Sequence, residues 1–336
     1  MGPPPHLTGE PITARRGFFW IEGDTVALPH GRVPRGAMFV QWEAPPDVTK
    51  PWPIVLVHGG GGQGTDWLGT PDGRPGWATY LVKEGYAVYV VDRPGHGRSP
   101  FHRDLLGANG GPFTQELVSA LFTDAANGPL AHPTAHLHTQ WPGNGDPDDP
   151  SVRQFAAGRE AMLADTSAAH ALERERGAAL LDEIGPAILL TASAGGPMGW
   201  LTADARPSLT KAVVAVEPLG PPFLVNDELG ISLDWGLTAA PLTFEPPAAA
   251  SGALHDGQPR TLPALAGTPI ALVSAEASLF ADSIPATAAF LEQAGCRVER
   301  IALAEHGVHG NGHLMMIERN NREALAPILR WLEETA

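Results

Sequence analysis

Residues 191–196 read Thr-Ala-Ser-Ala-Gly-Gly, directly after an apolar run and ahead of a helical stretch. A serine on so tight a strand-to-helix turn stands above the end of a sheet, where its hydroxyl can attack an electrophile, and its neighbours must be small for the turn to close. Ala192, Ala194, Gly195 and Gly196 meet that demand around Ser193. A serine in this place can also simply cap the following helix. The second informative stretch is His58 followed by Gly59, Gly60, Gly61 and Gly62. Glycines after an early strand let backbone N–H groups turn inward and face an oxyanion. The N–H of Ala194, at a helix start, supplies a second donor. Gly60, Gly61 and Ala194 are therefore the candidate oxyanion hole. His58 itself reads as a loop-fixing residue.

A serine nucleophile needs a base and an acid. His306, His309 and His313 follow the last strand-like segment. His313 is preferred because Gly310-Asn311-Gly312 forms a flexible approach and an amphipathic stretch follows; His309 is the runner-up. Glu217 ends one apolar strand, with Pro218 fixing the exit, and Glu276 follows the next. An acid ending an apolar strand is costly to bury unless a partner waits for it. That holds for both, so the residues alone leave the choice open.

Two rival chemistries touch the same residues. Gly59-x-Gly61-x-x-Gly64 with Asp92 after the next strand matches a dinucleotide fingerprint. That fingerprint needs a helix opening on the glycines, and the turn-rich residues 65–76 predict none. A P-loop fails because Thr65, not lysine, follows Gly64. His132, His136 and His138 could share a strand face and hold a metal; a polar lid segment explains them more simply. No metal or organic cofactor is expected. Trp141, Met198, Trp200, Phe223 and Trp235 could line a pocket, or, for Met198 and Trp200, simply be core.

The elements that position these groups alternate. Strands are expected over 17–21, 37–42, 53–57, 86–91, 187–190, 211–216, 269–273 and 298–303. Helices are expected over 77–84, 167–184, 195–203, 284–294 and 314–332. Strands alternating with helices imply a mostly parallel sheet with helices on both faces and ligands at the carboxyl ends of the strands. Residues 1–16 read as a loose arm and 17–336 as one domain, with lid-like insertions at about 100–166 and 218–267.

Composition narrows the function classes. The chain has 336 residues, a net charge of −15 and a single cysteine, Cys296. An acidic surface argues against nucleic acid and against an anionic membrane as partner. One cysteine excludes an internal disulfide framework. Hydrophobic residues at 43% and charged residues at 18% suit a large core. The first residues show no apolar signal-peptide region, so a cytoplasmic location is expected. An exposed apolar patch on either insertion would favour a homodimer.

Residues 65–99 (TDW, TPDGRPGW, YLVKEGYAVYVVDRPGHGRS), the Ser193 elbow, AVVAVEP and GNGHLMMIERNN together resemble a subfamily of bacterial serine esterases with the α/β-hydrolase fold. The resemblance runs from about Pro53 onward, outside much of the insertions. It implies Ser193 as nucleophile, His313 as base, Glu217 at the end of the sixth strand as acid, and an oxyanion hole at Gly61 and Ala194. This chain has Ala192, Ala194 and Gly61 where that subfamily often carries histidine, glutamine and cysteine. The implied activity is cleavage of a small carboxylic ester or lactone through an acyl-enzyme. Acyl transfer and C–C bond hydrolysis or lysis are alternatives on the same residues, beside a nucleotide-binding oxidoreductase and a non-catalytic binding module.

Overall fold

The run Ile54–Val57 is buried at every position because both faces of its sheet are covered. Ile54 and Leu56 belong to a core that includes Trp77, Leu325 and Ile328, whereas Val55 and Val57 join Leu181, Trp200 and Leu291 on the opposite face. The computed structural model describes residues 12–227 and 229–335. Its strands in chain order are β1 Arg15–Ile21, β2 Asp24–Leu28, β3 Gly31–Arg35, β4 Met38–Ala44, β5 Ile54–Val57, β6 Val88–Asp92, β7 Ala187–Ala192, β8 Thr210–Val216, β9 Val225–Asn226, β10 Ile231–Ser232, β11 Ile270–Ser274 and β12 Val298–Ala302.

Eight of them form one sheet in the order β1-β4-β6-β5-β7-β8-β11-β12. β1 and β4 are antiparallel to their neighbours, and every pairing from β6 to β12 is parallel. β2–β3 and β9–β10 are separate two-stranded ribbons. The helices Trp77–Lys83 and Asn321–Thr335 cover one face; Thr166–Ile184, Gly196–Ala205 and Ile284–Gln293 cover the other. This is the α/β-hydrolase architecture, with the sheet's carboxyl edge carrying the candidate residues.

Several sequence expectations need correction. Residues 1–11 of the expected loose arm lie outside the described residues, and Arg15 and Arg16 already pair with Ala44 and Glu43 in β1. The β2–β3 ribbon falls in a stretch read only as turn-rich. A one-turn helix, Thr65–Leu68, does open on Gly64, where none was expected. The final helix begins at Asn321, not at 314. Leu314 and Ile317 are buried as the apolar pattern requires, but in turns: Glu318 is fully buried and bonds back to the loop before it. The first insertion contains the short helices Arg103–Leu106, Gln115–Val118 and Pro150–Ala156.

Candidate active site

Ser193 follows β7 and begins the short turn that leads into the helix Gly196–Ala205. Its φ is 51°, the left-handed region that a non-glycine residue occupies only when its surroundings hold it there. The small neighbours have specific causes. A Cβ on Gly195 would sit 2.4 Å from the His58 carbonyl oxygen, and one on Gly196 would sit 2.6 Å from Pro218 Cβ. One on Gly59 would lie 3.1 Å from Ser193 Cβ itself. The elbow can therefore close only against glycines. The N–H of Leu219 donates to the Ser193 carbonyl at 2.9 Å, tying the elbow to the exit of β8.

Glu217 ends β8, fully buried, also with a positive φ of 40°. Its Oε1 accepts the Ala275 N–H at 2.9 Å, and its Oε2 accepts the Ser278 hydroxyl at 2.6 Å. The same Oε2 lies 2.5 Å from Nδ1 of His313. A buried carboxylate with three such partners fixes the imidazole with its proton on Nδ1 and leaves Nε2 as the acceptor. Phe280 and Phe122 stack on that ring at centroid distances of 4.1 and 5.6 Å. His313 and Ser193 line one cavity of about 40 Å³, together with Gly60, Asp66, Trp67 and Phe155.

The other carboxylate is engaged elsewhere. Glu276 Oε1 accepts the Gly310 N–H at 2.6 Å and its Oε2 meets His309 Nδ1 at 3.2 Å. Those bonds hold its carboxyl below the usual range against the opposing effect of burial. His309 and His306 are exposed, so the structure groups Ser193 with His313 and Glu217, apart from these three.

The glycine loop is pinned from beneath. The Gly59 carbonyl receives His58 Nδ1 at 2.9 Å, Arg93 Nη2 at 3.0 Å and the Gly62 N–H at 3.3 Å. A trans peptide points its N–H opposite to its C=O, so these bonds turn the Gly60 N–H away from all three donors. A Cβ on Gly60 would come within 3.4 Å of Ala194 Cβ, which places the two residues face to face. Gly61 has φ +56° and passes its carbonyl to the Glu160 N–H at 2.8 Å. His58 Nε2 accepts the Arg93 N–H at 2.9 Å, the loop-fixing part expected of it. Burial first, then Arg93, pushes its pKa well below the ordinary histidine value.

The rival readings lose their residues to other bonds. Asp92 accepts the Gly64 N–H at 2.7 Å and the Arg98 N–H and Nε at 2.8 and 2.7 Å. His138 bonds Glu318 at 2.8 Å, and among the described residues no group of three His, Cys, Asp or Glu side chains is placed to hold a metal. Trp141, Met198 and Trp200 are core. Phe223 packs on Phe290 and His255, and Trp235 against the core. Sequence reasoning missed Ser278, Phe122, Phe280 and the Asp66–Arg159 ion pair at the cavity wall. Asp66 sits in the one-turn helix Thr65–Leu68, and the others lie in short turns, loops or the first insertion, none with a periodic signal.

A model of the alpha/beta hydrolase fold matches residues 53–262. The chain is 38% identical over 325 residues to "Probable secreted lipase phiG" from a fungal species (strain ATCC 74256), covering 90% of this chain and 88% of that one. A solved structure of a bacterial esterase superposes with a TM-score of 0.68 at 23% identity, covering 97% of this chain and 98% of the other. No helix among the described residues is long and apolar enough to cross a membrane. Fold, core and matched length agree: the chain belongs to the alpha/beta hydrolase fold family.

Proposed function

We propose that the protein is a serine hydrolase of carboxylic esters or lactones that works through an acyl-enzyme, with Ser193, His313 and Glu217 as its triad. The observation that carries this reading is the strained serine sharing a cavity with an imidazole whose far nitrogen is held by a buried carboxylate. Ser193 Oγ attacks the ester carbonyl as His313 Nε2 takes its proton, and Glu217 stabilises the imidazolium. The N–H groups of Gly60 or Gly61 and of Ala194 receive the oxyanion. Collapse breaks the C–O bond, and the imidazolium gives its proton to the leaving alcohol. Water, deprotonated by His313, then releases the acid and restores the serine.

The likeness to a relative named as a lipase supports the ester class. Because that relative is also described as secreted, the cytoplasmic location belongs to this proposal and is checked by cell fractionation. The deciding experiment joins a fluorophosphonate probe with a panel of p-nitrophenyl esters and lactones. Ser193 takes the label and the wild type turns over at least one ester. Ser193→Ala loses nearly all turnover and all labelling; full residual activity in that variant overturns the assignment.

A further inference from the structure

A second cavity of about 30 Å³ shares Gly60 with the Ser193 cavity and is lined also by Ala194. We propose that it is the acyl subsite, and that it takes a short acyl group of two to four carbons carrying one hydroxyl group. The inference rests on the hydrolase reading, since only an acylated Ser193 gives the subsite its meaning.

Size comes first. A buried water needs ~10–15 Å³ of such space, so the cavity has room for about two or three waters; bonded groups sit closer together, about 1.5 Å apart, so up to about four groups beyond the carbonyl fit and a long chain does not. Position comes next. Gly60 borders both cavities, so an ester whose carbonyl oxygen meets Gly60 and Ala194 can send its acyl arm to one side and its alcohol to the other.

Polarity decides the class. Arg93, His96 and His170 line the inner cavity, and all three are at least nine-tenths buried. Arg93 Nε has no hydrogen-bond partner although it is buried. His170 Nδ1 accepts the Ala239 N–H at 2.9 Å, which leaves the ring proton on Nε2 as a donor. His96 Nδ1 donates to the Pro94 carbonyl at 3.2 Å, which leaves its Nε2 as an acceptor. An apolar acyl arm would leave the two imidazole Nε2 atoms unpaired, an expensive arrangement for buried polar atoms. A carboxylate fits no better. The Arg93 charge is already met by Glu173 at 2.6 Å, and burial keeps both histidines uncharged, with pKa values of about 3. A neutral oxygen that both gives and takes a hydrogen bond matches the lining.

Isosteric ester pairs test this, because exchanging OH for CH3 changes polarity and little else. Methyl lactate is compared with methyl 2-methylpropanoate, and methyl 3-hydroxybutanoate with methyl 3-methylbutanoate, in a pH-stat. Each rate is divided by that ester's rate with hydroxide. In at least one pair the hydroxy ester is expected to have a kcat/KM at least about tenfold higher, since sites built to bond a hydroxyl reject its apolar analogue. His170→Asn keeps an acceptor for Ala239 and withdraws the donor from the Nε2 position, because its amide ends at the level of the ring's Nδ1, and should bring that ratio towards one; His170→Leu is the second variant. If neither variant folds, the wild-type ratio decides alone. A ratio at or below one in both pairs overturns the subsite. So does an unchanged ratio in a folded His170 variant, or faster turnover of monomethyl succinate than of methyl 3-hydroxybutanoate. No turnover of these esters by an enzyme whose Ser193 still takes the fluorophosphonate also sinks it. Loss of that label instead overturns the hydrolase reading itself.

Discussion

Glu217 and Glu276 are alike in sequence, each an acid just beyond an apolar strand, and the structure gives them different work. Glu217 is fully buried among an amide, a hydroxyl and the His313 ring, whereas Glu276 steadies Gly310 and the exposed His309. In the proposed triad Glu217 orients the His313 imidazole, so replacing its carboxylate disturbs both tautomer and charge. Glu217→Gln should therefore lower kcat by about 10³–10⁴. Glu276→Gln should cost about tenfold or less, because it shifts a backbone and no proton. Steady-state kinetics on the two variants side by side check this; the reverse order moves the acid to Glu276. Gly61→Ala is a third case. The new Cβ would meet the Glu160 carbonyl at 2.5 Å in a left-handed backbone, so the loop must shift. A misplaced oxyanion donor costs about 10²–10³ in kcat, with KM changed much less. The Ser193 elbow was legible because Gly195 and Gly196 are obligatory there. Which glutamate partners His313 was not legible from the residues, because Ala275 and Ser278 come from another strand's exit.

At the scale of elements, the segment that presents His313 is held by the first insertion. The Thr139 and Gln140 N–H groups donate to the Gly310 carbonyl, and the Arg319 N–H donates to Gln140. Glu318 accepts the Gly312 N–H at 3.0 and 3.1 Å, Asn311 Nδ2 at 2.8 Å and His138 Nε2 at 2.8 Å. The carboxylate thus grips the peptide next to the proposed base and links it to a different part of the chain. Glu318→Gln weakens that grip and should reduce kcat by about 10- to 100-fold through misplacement, with KM within about threefold. A variant whose kcat equals wild type would show that the clasp is dispensable. The same residues explain an error of reading. Leu314 and Ile317 continue the apolar spacing of the final helix, so the pattern ran backwards from Asn321 into turns. Apolar periodicity reports burial, and here burial extends past the helix. His138 looked like one of three lid histidines because its partner lies 180 positions away.

For the whole molecule, three buried histidines set the acid limit. His58, His96 and His170 all have pKa values pushed down by burial, the latter two to about 3. Unfolding frees them to bind protons below the ordinary histidine value, so stability is full above about pH 6.5 and falls as the pH drops towards 3. Each contributes a slope of about 1.4 kcal/mol per pH unit while its unfolded form alone is protonated. Glu160 and Glu173, raised by burial, pull the other way, but they are two against three. Denaturant titrations at pH 7 and pH 5 should show lower stability at pH 5; equal or greater stability would contradict this balance. At this scale the sheet was readable in advance because two-sided burial writes continuous apolar runs. The insertions were visible only as turn-rich gaps, since long-range bonds such as Glu160 to Gly61 leave no periodic trace.

The single cysteine has a practical consequence. Cys296 is buried and its thiol is pushed up to about 11, so it stays protonated and shielded near neutral pH. Maleimide dyes should pass it by in the folded protein. Fluorophores can then be attached at engineered surface thiols, one on the first insertion and one on the body, without first removing a native one. The distance between them would report whether the insertion swings aside when substrate arrives.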